Sequence, residues 1–184
     1  MIGSFAAWIA LGSAVVMTAL AFLDLLIPAF RFWPPPSIGS WQSRTFRALF
    51  RLMVYGALIG SATHVWNVGW SASGWWLAVA TGSLLTGFVV ALLATGALGW
   101  RNAFGAKEGL QTQGIFAHSR NPIYLATFFG LVGWALLVAS PMIVATLGLW
   151  VLLYVIAVFL EERWLAAEYG EAFAAYCRKT RRFI

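Results

Sequence analysis

Charge is scarce in this chain. Of 184 residues, 10% are charged and 61% hydrophobic, and the mean hydropathy is +0.82. A soluble domain carries about 25% charged residues, so the composition argues against a soluble fold. Cysteine and histidine are scarcer still, at one and two residues. With no HExxH or CxxC motif, they argue against a protein-bound metal centre. Cys177 has no partner for an internal disulfide and reads as an ordinary small residue on a terminal helix. There is no Gly-x-Ser-x-Gly elbow and no glycine-rich phosphate loop. No basic segment precedes the first apolar run, which opens at residue 5 and continues past Leu26. That pattern suits a retained span better than a cleaved signal peptide.

What the chain has in abundance is long apolar runs. Each of five, at about 5–28, 46–66, 75–98, 122–139 and 141–160, is near the roughly 20 residues that cross about 30 Å of hydrocarbon. The expected fold is therefore all-α, a polytopic membrane protein with five transmembrane helices forming one domain over residues 1–184. Between the first two runs, AFRFWPPPSIGSWQSRT contains three consecutive prolines and cannot be one continuous helix. Phe30, Phe32, Trp33 and Trp41 are expected to keep that loop at the membrane interface. Residues 99–121 form the longest connection. Only Ser140 and Pro141 separate the last two runs, which predicts a tight antiparallel hairpin. Gly56-x-x-x-Gly60 and the glycine-containing stretch from Gly82 offer small-residue surfaces for helix packing.

The formal charge of +6 resides in twelve cations. Arg31, Arg44, Arg47 and Arg51 surround the first loop; Arg101, Lys107 and Arg120 surround the third. Arg163, Arg178, Lys179, Arg181 and Arg182 follow the fifth span. With five spans, all twelve fall on one side. The positive-inside rule makes that side cytoplasmic and leaves the N-terminus outside. Trp66, Trp70, Trp75 and Trp76 then mark the far interface, and Trp33, Trp41, Trp100 and Trp164 the near one. Scattered cations at span ends form no basic face, which argues against nucleic acid and for anionic lipid headgroups as partners.

The segment HSRNPIYL, residues 118–125, opens the fourth run. Asn121 followed by Pro122 reads as a helix start, Asn at N-cap and Pro at N1. A hairpin of equal arms returns the chain to Glu161 and Glu162 at the same depth as Arg120. Arg120 beside a helix N-terminus and the glutamates after a helix C-terminus both oppose the helix dipoles. Mutual pairing accounts for that, as does plain solvent exposure. Beyond 160, Leu165, Tyr169, Phe173 and Tyr176 recur at helical spacing as one apolar stripe. This predicts a C-terminal amphipathic helix, either an interfacial anchor or a cover over a pocket.

The two blocks GIFAHSRNPIYLATFFGLVGWALLV and FLEERWLAAEYGEAFAAYCRKTRRFI resemble the C-terminal signature of bacterial membrane methyltransferases. These are relatives of the isoprenylcysteine carboxyl methyltransferase and phospholipid N-methyltransferase families. The resemblance covers about residues 105–184, and it implies S-adenosylmethionine as cofactor, bound on the cytoplasmic side by a portion at about 100–184. Arg120, Pro122 and Tyr124 match the family's Arg-His-Pro-x-Tyr pattern, with Asn121 in place of histidine. Glu161 and Glu162 match its double glutamate. Tyr169, Gly170, Tyr176 and Arg182 fit its terminal pattern. The Gly-x-Gly element of phospholipid N-methyltransferases has only loose candidates in Gly96, Gly99 and Gly105. The implied cofactor-binding residues are Arg120, Asn121, Tyr124, Glu161, Glu162 and Tyr169, and the candidate catalytic residues are Tyr124 and His118. A guanidinium clamps a carboxylate in two parallel hydrogen bonds, and a glutamate holds an ammonium or ribose hydroxyls.

Asp24, in the cytoplasmic third of the first span, either pairs with a first-loop arginine or lines a substrate path. His64 reads as structural, and the final RKTRR as a lipid-surface contact and topology anchor. The functional expectation is a multi-pass enzyme of the bacterial inner membrane. It would move a methyl group to a lipophilic or small acceptor bearing a carboxylate, amine or thiol. The competing class is a small transporter or assembly subunit, which would place its polar groups near mid-membrane rather than at one face. Oligomeric state is not legible.

Overall fold

The computed structural model describes residues 2–27, 29–106 and 108–184. Pro28, the expected end of the first span, and the cation Lys107 lie outside the described residues. The fold is all-α. Helix α1 spans Ile2–Leu26, α2 Trp41–Val68, α3 Trp75–Leu98, the short α4 Trp100–Ala103, α5 Pro122–Val138 and α6 Pro141–Lys179. A 3-10 turn at Gly114–Ala117 precedes α5.

Local chemistry sets these boundaries. Helix α2 begins ahead of its apolar run because the Ser40 hydroxyl accepts the Ser43 N–H at 3.2 Å, an N-cap in the polar loop. Pro122 occupies the first position of α5, as expected, and Ala139 ends the helix in the left-handed region with φ 46°. Helix α6 does not stop at residue 160. Its run of Glu, Arg, Leu and Ala after Leu160 favours helix, and the chain stays helical until Gly170, whose φ of 49° and ψ of −123° break it.

Helices α1, α2, α3 and α6 are each long and apolar enough to cross a membrane. With 17 residues, α5 is shorter and extends about 25 Å at 1.5 Å per residue. The molecule is a polytopic helical membrane protein.

Small residues decide which helices meet. Helix α1 packs on α2 and α6, and α3 packs on α5. A Cβ on Gly56 would lie 2.6 Å from the Ala6 carbonyl oxygen, so α1 and α2 approach backbone to backbone as the Gly56-x-x-x-Gly60 spacing predicts. On α3 the contact glycine is Gly87, where a Cβ would meet Gly130 N at 2.3 Å, whereas Gly82 faces open space. The expected tight hairpin of α5 on α6 does not form. These two helices touch sparingly, because each has a better-fitting partner in α3 or α1. The space between the two groups of helices becomes a cavity.

The first loop also differs from expectation. Trp41 is half exposed, but Phe32 and Trp33 turn inward and are buried with Met17, Phe46 and Leu160. Trp33 stacks on Phe46 with ring centroids 4.2 Å apart. Two large apolar rings are better buried among helices than left in water.

Candidate active site

The cavity has a volume of about 400 Å³ and is walled by α2, α3, α5, α6 and the first and third loops. Most of its lining is apolar and rich in aromatic rings. Arg120, Asn121, Tyr124, Glu161, Glu162 and Tyr169 line it too. All six residues expected to bind cofactor therefore line one space.

Glu162 is the centre of a cation cluster. Arg120 Nη2 stands 3.0 Å from Glu162 Oε1, with the two side chains 12% and 14% exposed. Arg182 donates to Glu162 Oε2 from Nε at 3.0 Å and from Nη2 at 2.8 Å. These bonds raise the Arg182 guanidinium above its ordinary range, so it stays charged at any accessible pH. Its Cζ also lies 4.9 Å over the Phe159 ring. The Arg120 Nη2 contact lacks hydrogen-bond geometry, which leaves Glu162 Oε1 buried without a hydrogen-bond partner, and Arg120 Nε is likewise buried and unpartnered. Buried charged groups normally satisfy such atoms.

Arg182 was expected at the lipid surface within RKTRR. It turns inward instead because the tail is tied to the segment before α5. Tyr176 OH donates to the Phe116 carbonyl at 2.6 Å, and Arg120 N–H to the Arg181 carbonyl at 3.0 Å. Asn121 Nδ2 donates to the Arg182 carbonyl at 2.9 Å. Asn121 thus holds the N-cap position but makes no side-chain cap; its Nδ2–H ties the tail instead.

Glu161 has different surroundings. Its Oε1 accepts Trp33 Nε1–H at 2.7 Å and Tyr124 O–H at 2.5 Å. Tyr124 packs edge-on against Tyr154 at 4.7 Å. Asp24 lies behind Trp33, its Oδ2 accepting the Trp33 backbone N–H at 2.8 Å and its Oδ1 the Arg163 Nη2–H at 2.9 Å. The arginine expected for Asp24 was one from the first loop, but it comes from α6. The first loop supplies a backbone amide instead.

Both glutamates sit inside a continuous helix rather than after a C-terminus, so the expected opposition to a helix dipole does not apply to them. The stripe of Leu165, Tyr169, Phe173 and Tyr176 faces the cavity across the Gly170 break. Tyr169 is half-buried and edge-on to Trp164 at 6.2 Å. His118 is not brought to this space. It is exposed and borders a separate shallow depression with Thr86 and Leu125. Sequence reasoning missed Trp33 as a site residue. Its loop position suggests an interface anchor, and no spacing links residue 33 to residue 161.

Among the described residues no group of three or more His, Cys, Asp or Glu could hold a metal ion. No curated protein and no solved structure matches the chain. A family model does match, that of phospholipid methyltransferase, over residues 70–172, which include Arg120, Tyr124 and both glutamates. Since the match spans more than half of its length, this chain belongs to the phospholipid methyltransferase family, membrane enzymes whose methyl donor is S-adenosylmethionine.

Proposed function

We propose that the cavity is the methyl-transfer site, with S-adenosylmethionine gripped by Arg120 and Glu162 and a lipophilic or small acceptor against its apolar lining. The carrying observation is that Arg120 and Glu162, an ion pair lining the cavity, each keep a buried polar atom without a hydrogen-bond partner, Nε and Oε1. The residues fit the cofactor. Arg120 can turn two parallel N–H groups to its carboxylate, and Glu162 can accept from its ammonium or ribose hydroxyls. Tyr124 and Tyr169 offer rings beside it, and Asn121 keeps the tail closed beneath it. When bound, the cofactor supplies an electrophilic methyl on a cationic sulfur. The chain contributes orientation and exclusion of water, through the aromatic wall and the α6 extension.

Helices α2 and α3 both line the cavity yet scarcely contact each other, which supports entry of an apolar acceptor from the bilayer. We read the chain as a single domain with five spans, α5 included, the N-terminus outside and the site at the cytoplasmic face of a bacterial inner membrane. The meeting of Arg120, Glu161 and Glu162 where α5 begins favours this over a transporter, whose sites lie near mid-membrane.

The test is calorimetric titration of the purified protein with S-adenosylhomocysteine. Arg120→Ala and Glu162→Gln are each expected to weaken binding roughly 10- to 100-fold, the worth of one or two charge-assisted hydrogen bonds. Folded wild-type protein that fails to bind would overturn the proposal.

A further inference from the structure

The cations at the span ends read as scattered along the sequence, yet helix α2 gathers three of them. Arg44, Arg47 and Arg51 recur at helical spacing, and their side chains leave the helix within about 60° of one another. Arg44 and Arg51 are exposed and Arg47 is half-buried. None forms an ion pair among the described residues, and α2 itself carries no acid. Arg47 Nη2 donates to the Ile38 carbonyl at 3.0 Å, which holds its guanidinium beside the first loop. Like charges at this spacing repel. The positive-inside rule depends on how many cations stand at a span's end, not on their sharing a face, so topology alone does not account for the ridge.

Two features of its position point to an occupant. Turning about α2, Gly56 and Gly60 face α1, then Phe46, Phe50 and Val54 line the cavity. The arginine ridge comes next, on the side away from α1. None of the three arginines lines the cavity itself, and because α2 and α3 scarcely touch, the ridge borders the opening between them. Along its axis, α2 has 28 residues, about 42 Å at 1.5 Å per residue, against about 30 Å of hydrocarbon. With the exposed Trp66 at the far interface, the first turns of α2 stand among headgroups. Arg51 reaches back to that level along its methylene stem. Deeper on the same face, Leu58 is 49% exposed and presents apolar surface.

We infer that this ridge is a binding site for an anionic phospholipid. The guanidinium groups hold its headgroup phosphate, and an acyl chain lies against Leu58. A guanidinium fork pairs with phosphate oxygens in two parallel bonds. A free phosphate would gain nothing from the apolar surface below, and a zwitterionic lipid brings an ammonium that three cations repel. Held there, the lipid flanks the opening without entering the cavity. Its binding does not depend on methyl transfer, so the test reads binding alone.

The experiment is native mass spectrometry of purified full-length protein in detergent, titrated with dioleoyl phosphatidylglycerol or dioleoyl phosphatidylcholine. The first phosphatidylglycerol is expected to bind about 30-fold more tightly than phosphatidylcholine, from about threefold to fivefold per arginine. Raising the salt should narrow that preference. The triple variant Arg44→Gln, Arg47→Gln, Arg51→Gln should bind the two lipids alike. Arg51→Gln alone should weaken phosphatidylglycerol about threefold to fivefold, and it serves if the triple variant does not fold. A control removes as many cations from the tail, through Arg178→Gln, Lys179→Gln and Arg181→Gln, and should stay within about threefold of wild type. Equal binding of the two lipids by wild-type protein would overturn the inference. So would unchanged phosphatidylglycerol affinity in the folded ridge variants, or a loss as large in the tail control.

Discussion

Asp24 shows how a single buried charge ties distant parts of this chain together. It is fully buried and accepts from both the Trp33 backbone and the Arg163 guanidinium. Asp24→Ala strands the Trp33 N–H and frees Arg163. Because Arg163 is 43% exposed, water compensates part of its loss, and the expected destabilisation is about 1–3 kcal/mol. Thermal unfolding in detergent measures this, and a melting temperature equal to wild type would refute it. Asp24→Asn retains an acceptor for Trp33 and should fall between the two. The importance of Asp24 is legible from its type and depth alone, since an acid within an apolar span needs a partner. The partner's identity is not, because Arg163 lies far along the chain and only helix packing brings it near.

At the scale of elements, glycine marks where helices can close on each other. Gly87 and Gly133 let α3 and α5 approach, and a Cβ on Gly133 would lie 2.4 Å from Leu84 N. Gly87→Ala should therefore push the pair apart and cost about 1–3 kcal/mol. Gly82→Ala, which has open space around it, should be neutral or stabilising by a few tenths of a kcal/mol to about 1 kcal/mol. Equal unfolding temperatures for the two variants would refute that distinction. Sequence spacing alone cannot separate these glycines, because both lie in the same apolar run and only the helix rotation chosen by packing tells them apart. The same packing overrides the expected α5–α6 hairpin, since a short turn dictates nearness only at the turn. By contrast, the apolar stripe from Leu165 to Tyr176 keeps its face toward the cavity, as its period predicts.

For the whole molecule, the cation distribution makes a directional prediction. In protein with Cys177→Ser, a cysteine replacing the exposed Ser73 in the α2–α3 loop should react with an impermeant maleimide on intact cells. A cysteine replacing the exposed Arg181 should react only after the membrane is opened. The reverse pattern would invert the orientation and place the site outside.

Composition and run length by themselves determined that this chain is a helical membrane protein, because hydrocarbon demands long apolar segments with internally paired backbones. The paired motifs around Arg120 and the double glutamate likewise named the polar residues that line one cavity. Only the tertiary structure decided which charges meet. It brought Arg182 to Glu162 by lacing the tail under α5, and it brought Trp33 to Glu161 by folding a proline-rich loop inward. Neither contact has a local signature, because each joins residues far apart in the chain through the packing of helices between them.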